Sequence, residues 1–63
     1  MTLLDFALGL AVLYDLGVGD EGIKDYAKRA KRQIDPEYQP LVCLCIKVKK
    51  RRQFVKHFLV NLE

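Results

Sequence analysis

The chain has no serine and no tryptophan, a single threonine at position 2 and a single histidine at position 57. A Ser-His-acid catalytic arrangement therefore has no nucleophile. Its glycines at 9, 17, 19 and 22 lack the spacing and the lysine-serine ending of a phosphate-cradling loop, so no nucleotide cofactor is expected. Cys43 and Cys45 are the only cysteines. At i and i+2 they point the same way in a strand and diverge by about 200° in a helix, and neither geometry closes a disulfide. With His57 they fall short of the four ligands of a structural zinc site, so no metal is expected. On one continuous helix His57 would stand about 18 to 21 Å from either thiol, too far for an intrachain thiolate pair. These absences point away from an enzyme.

No lysine or arginine precedes Lys24, so the apolar stretch MTLLDFALGLAVLYDLG lacks the cationic start of a secretory signal. It is also shorter than the roughly 20 apolar residues of a membrane span. The expectation is an intracellular, cytoplasmic chain with reduced thiols. At 63 residues it forms one small domain, which buries a modest fraction of its surface and is marginally stable alone. Completion by oligomerisation or by a larger partner is expected.

Charge is unevenly spread. Residues 1 to 22 carry Asp5, Asp15, Asp20 and Glu21 and no cation, for −4. Residues 23 to 34 hold five cations against Asp25, for +4, and residues 35 to 63 hold six against three acids, for +3. The net charge is +3 and the isoelectric point is near 9.0. An acidic, apolar front and a basic back attract one another, within one chain or between two.

The periodicity predicts an all-α fold of three helices, a helical hairpin followed by one long C-terminal helix. The first spans about 3 to 16, with Thr2 as cap and Asp5 in the first turn, where the helix dipole favours an acid. Its apolar residues nearly encircle it: Leu3, Phe6, Ala7, Leu10 and Tyr14 make one face, and Leu8, Val12 and Leu16 lie behind. Such a helix is buried on more than one side, and the second cover is expected from another molecule. Gly17, Val18 and Gly19 break it, and Asp20 is expected to cap a second helix reaching about Gln33. There Ile23, Tyr26, Ala27, Ala30 and Ile34 fall within an arc of about 100°, opposite Lys24, Lys28, Lys31 and Arg32.

The segment ALGLAVLYDLGVGDEGIKDYAKRAKRQIDPEYQP, through Leu8-Gly9, Tyr14, Gly17, Ile23, Tyr26, Ala30 and IDPEY, resembles a single tetratricopeptide repeat over residues 7 to 38. Two spacings, Tyr26 to Ala30 and Ala30 to Pro36, are each one residue longer than the family pattern. The resemblance implies an antiparallel helical hairpin that binds proteins, without the concave groove that only stacked repeats form.

Asp35-Pro36 ends the hairpin, and Pro40 is tolerated in a first helical turn. From Leu41 to Leu59 there is no Gly, Pro, Asn, Asp or Ser. Residues 42 to 49 alternate as a strand would, yet a strand needs a turn at Lys50-Arg51 and a pairing partner, and neither is evident. One helix from 40 to 62, about 34 Å long, is therefore expected. Its apolar stripe Leu44, Val48, Val55, Phe58 and Leu62 has Arg51 near the centre. A cation there must snorkel outward or meet an acid, with Asp5 and Asp15 as the expected partners.

The function expected is a small non-enzymatic protein–protein interaction module, a regulator, inhibitor or adaptor, docked on a larger or acidic partner or on itself. Leu3, Phe6, Leu10, Leu13, Tyr14, Phe54, Phe58 and Leu62 would form the apolar seam. Lys24, Lys28, Lys31, Arg32, Lys47, Lys49, Lys50, Arg51, Arg52 and Lys56 would steer an acidic partner. The alternative is a basic nucleic-acid-binding protein, non-specific and salt-dependent, with residues 42 to 49 as the two-stranded ribbon of a dimer. No small-molecule substrate is expected.

Overall fold

The structure, a computed structural model, describes residues 1–62 and is all-helical. Four α-helices follow one another: α1 (Leu3–Asp15), α2 (Asp20–Lys31), α3 (Gln39–Lys47) and α4 (Arg51–Val60), with a 3-10 turn at Pro36–Tyr38 before α3. No described residue is in a strand.

Helix α1 begins as its sequence dictates, the Thr2 hydroxyl accepting a hydrogen bond from the Asp5 amide at 3.2 Å. It ends in a Schellman motif around Gly17, whose φ of 73° suits glycine. The Val18 amide reaches back to the Leu13 carbonyl and the Gly17 amide to that of Tyr14, both at 3.1 Å. Asp20 proves to be the first residue of α2 instead of its cap, a position held by Gly19. Helix α2 stops at Lys31, two residues before the expected end. Carbonyls at its end and just beyond it are taken by more distant groups: Gln39 Nε2 donates to Lys31 O at 2.6 Å, and the Met1 amino group to Gln33 O, two residues past the helix, at 2.7 Å.

The core is built from Phe6 and Leu10 of α1, Ile23, Ala27 and Ala30 of α2, Ile34 in the connection that follows α2, Val42 and Cys45 of α3, and Val55 of α4. Every one of these except Ala30 and Ile34 is completely inaccessible to solvent. The arc expected on α2 thus faces the core, with Tyr26 half-buried at its edge. Tyr26 stacks on Phe6 at 5.6 Å between ring centroids, and its hydroxyl donates to the Phe6 carbonyl at 3.1 Å. Gly9 permits this approach, since a β-carbon there would lie 2.0 Å from the Tyr26 oxygen.

The single helix expected over 40 to 62 is two helices. Val48 is extended, with φ −71° and ψ 142°, and Lys49 and Lys50 form a bend. A straight rod of about 34 Å would overrun a molecule measuring 27 Å along its longest axis. Breaking the rod lets α4 fold back against α1, α2 and α3. The buried face changes with it. Val42 and Cys45 point inward on α3, while Leu44, part of the expected stripe, is 52% exposed.

Candidate interaction surface

Arg51 lies where its pattern places it, among apolar residues, and it is 6% exposed. Its partners differ from those expected. Nε donates to the Cys45 carbonyl at 2.6 Å, one terminal nitrogen donates to the Ile46 carbonyl at 2.5 Å, and the other pairs with the Asp20 carboxylate. Asp5 and Asp15 both remain exposed on α1. The reason is topological: the bend after α3 carries Arg51 to the C-terminal end of α3 and the N-terminal end of α2. A guanidinium suits both, since it meets unpaired carbonyls at one helix end and an acid at the start of another. No buried side-chain polar atom among the described residues lacks a partner.

Arg52 performs a parallel task on α1. Its guanidinium lies over the Tyr14 ring at 4.4 Å and donates to the carbonyls of Val18 at 2.7 Å and Tyr14 at 3.5 Å. Two of the cations expected on a docking surface are thus engaged within the chain. Lys28, Lys31, Arg32, Lys47, Lys49, Lys50 and Lys56 are exposed, and Lys24 is half-buried. On α2 the outward face is joined by Arg29, paired with Asp25 at 3.2 Å between two well-exposed side chains. Such a pair contributes at most about 1 kcal/mol. Asp25, Lys28, Arg29, Arg32 and Gln33 frame a shallow, open depression on this face.

The apolar residues divide between core and surface. Phe6 and Leu10 are fully buried in the chain's own core, Leu3, Leu13, Tyr14, Phe54 and Phe58 are half-buried against it, and Leu62 is 37% exposed. The face left open on α1 is the one behind: Leu4, Leu8, Val12 and Leu16, between 56% and 73% exposed. Their spacing of four makes them one continuous ridge along the helix. Beside it runs an apolar groove lined by Leu4, Ala7, Leu8, Ala11, Leu59 and Leu62, so α4 forms its far wall. The sequence signal for this surface was the apolar circumference of α1, to whose outward side the structure adds Leu4.

The chemistry-bearing residues stay apart from one another. Cys45 is completely buried, and burial pushes its thiol up to about 11 despite the opposing pull of the Arg51 charge. It is therefore protonated and unreactive at neutral pH. Burial and the Asp5 charge raise the Tyr26 hydroxyl, and the Glu37 charge raises that of Tyr38. His57 is exposed on α4 beside Gln53, Lys56 and Val60. Among the described residues no group of three or more His, Cys, Asp or Glu side chains is arranged to hold a metal ion, and no helix is long and apolar enough to cross a membrane.

No protein-family model, curated protein or solved structure matches the chain.

Proposed function

We propose that this chain is a small, non-catalytic protein–protein interaction module, a regulator, inhibitor or adaptor, whose docking face is the outward side of α1. The observation that carries this reading is the unbroken ridge Leu4, Leu8, Val12 and Leu16, open to water along a helix whose opposite side buries Phe6, Ala7 and Leu10. Leaving four large aliphatic side chains wet forgoes about 1.5 to 3 kcal/mol each relative to burial, a surplus that a partner recovers. The groove toward Leu59 and Leu62 extends the ridge into a broader seat. On α2, the exposed Lys28, Lys31 and Arg32 supply a basic flank that speeds encounter with an acidic surface. The resemblance of residues 7 to 38 to one tetratricopeptide repeat is in keeping with a helical hairpin used for protein binding.

A photo-crosslinking residue in place of Leu8 tests the reading, with the same residue in place of the exposed Gln53 as control. Irradiation in cells that make the protein should join the Leu8 variant to one discrete partner, or to a second copy, and leave the Gln53 variant free. Equal labelling from both positions, or none from Leu8, refutes a docking face on α1. The second reading, non-specific nucleic-acid binding, draws on the exposed Lys47, Lys49, Lys50 and Lys56. It loses its ribbon, because residues 42 to 47 are helix, and it loses Arg51 and Arg52 to internal contacts. Retention on random DNA that falls steeply with salt would favour it.

A further inference from the structure

The last backbone bond of α3 runs from the Val48 amide to the Leu44 carbonyl at 3.0 Å. Were the helix to continue, the Lys49 amide would bond the Cys45 carbonyl and the Lys50 amide the Ile46 carbonyl, because each amide reaches four residues back. Those are the two carbonyls that Arg51 occupies. The side chain therefore supplies the two donors that the next turn of a straight helix would supply. Nothing in the local sequence demands a bend. Residues 48 to 50 are Val-Lys-Lys, without glycine, proline or any side chain that builds a turn.

We propose that this bend is a two-state hinge and that the partner selected by its open state is a second copy of this chain, which exchanges α4. When α4 lifts off, Lys49 and Lys50 complete the helix, and α3 and α4 become one rod. Its far half then points away from its own α1 and α2 and cannot reach them. It fits the vacated seat on another molecule, where Val55, Phe54 and Phe58 find the pockets they fill now and Arg51 meets Asp20 of the partner subunit. The two carbonyls keep hydrogen bonds in either state, so the exchange leaves no backbone group unpaired. Domain swapping through a short hinge is a low-cost route to a dimer. This inference uses the seat of α4 and not the ridge on α1, so it stands apart from the function proposed above.

The test is light scattering on the full chain after refolding at high concentration, followed by dilution. The unaltered chain should yield a dimer that dissociates slowly, since separation requires α4 to leave its seat. Lys49→Pro removes the amide that the rod needs and suits the extended Val48 that precedes it. It should reduce the dimer fraction at least about tenfold, because a proline inside a helix is strongly disfavoured. Val48→Ala, which favours helix through the hinge, should raise that fraction. If the proline variant fails to fold, the Lys49→Gly, Lys50→Gly double variant takes its place and should lower it too. A chain that stays monomeric throughout, or a dimer indifferent to the hinge substitutions, overturns the proposal. A dimer abolished by Leu8→Glu and untouched by Lys49→Pro also overturns it and places the contact on the α1 ridge.

Discussion

Replacing Arg51 by methionine keeps the aliphatic stem that packs in the core and removes all three polar contacts. The cost is unevenly divided among them. Asp20 is 45% exposed and is rehydrated once its partner is gone, so that contact contributes about 1 kcal/mol or less. The Cys45 and Ile46 carbonyls lie at a helix end covered by α4, and each left without a donor costs about 1 to 3 kcal/mol. The expected loss is therefore about 2 to 6 kcal/mol, set against a total of about 3 to 9 kcal/mol for a chain of this size at typical stability per residue. Urea denaturation followed by far-UV circular dichroism, at a concentration low enough to suppress exchange between chains, measures it. Arg51→Lys should fall between the two, since one ammonium reaches the carbonyls without the planar fork that serves them and Asp20 together. Asp20→Asn keeps an acceptor beside the guanidinium but withdraws the compensating charge from a cation that is only 6% exposed, so it should cost about 1 to 3 kcal/mol. The reasoning fails if Arg51→Met is as stable as the unaltered chain, or if Asp20→Asn is as damaging as Arg51→Met.

Two further outcomes follow from the core. Gly9→Ala gains about 1 kcal/mol of helix propensity, but its β-carbon meets the Tyr26 hydroxyl and ring carbon at 2.0 and 2.5 Å. A net loss of about 1 to 3 kcal/mol is expected from the overpacking; thermal melts of Gly9→Ala, Tyr26→Phe and the double variant should show the losses to be less than additive, and a more stable Gly9→Ala would refute the close approach. The raised Cys45 thiol favours the folded state while protonated, so its contribution is complete below the unfolded pKa of 9.0 and is lost as pH climbs toward about 11. Denaturation across that window should show a decline of up to about 3 kcal/mol from this group. Cys45→Ala should flatten that part of the profile, and an unchanged slope would mean the thiol is not desolvated.

Much of the local structure was legible in the sequence. Thr2 caps α1, Gly17 stops it, and the arc Ile23, Ala27, Ala30 and Ile34 faces the core, because caps, left-handed glycine and helical periodicity act over a few residues. The greasy circumference of α1 correctly signalled more apolar surface than the core consumes, and Leu8, Val12 and Leu16 are that excess. The position of Arg51 in an apolar stripe signalled a cation that must snorkel outward or meet an acid, and it is the second that occurs. Asp5 and Asp15 were expected as its partners because they are the acids on the apolar first helix, whereas the acid it meets is Asp20; the assumption of an unbroken rod misplaced Leu44, which is exposed.

The all-α class, the break after the first helix and the conflict at Arg51 were determined by the order of residues alone, since each depends on spacing within a turn or two of helix. The break at Val48 was decided by tertiary structure. A helix ends there because a side chain from the next one caps its carbonyls while pairing with Asp20, 31 positions earlier in the chain. Local propensity carries no record of a contact so distant, and in this stretch it favours the rod that the folded core cannot hold.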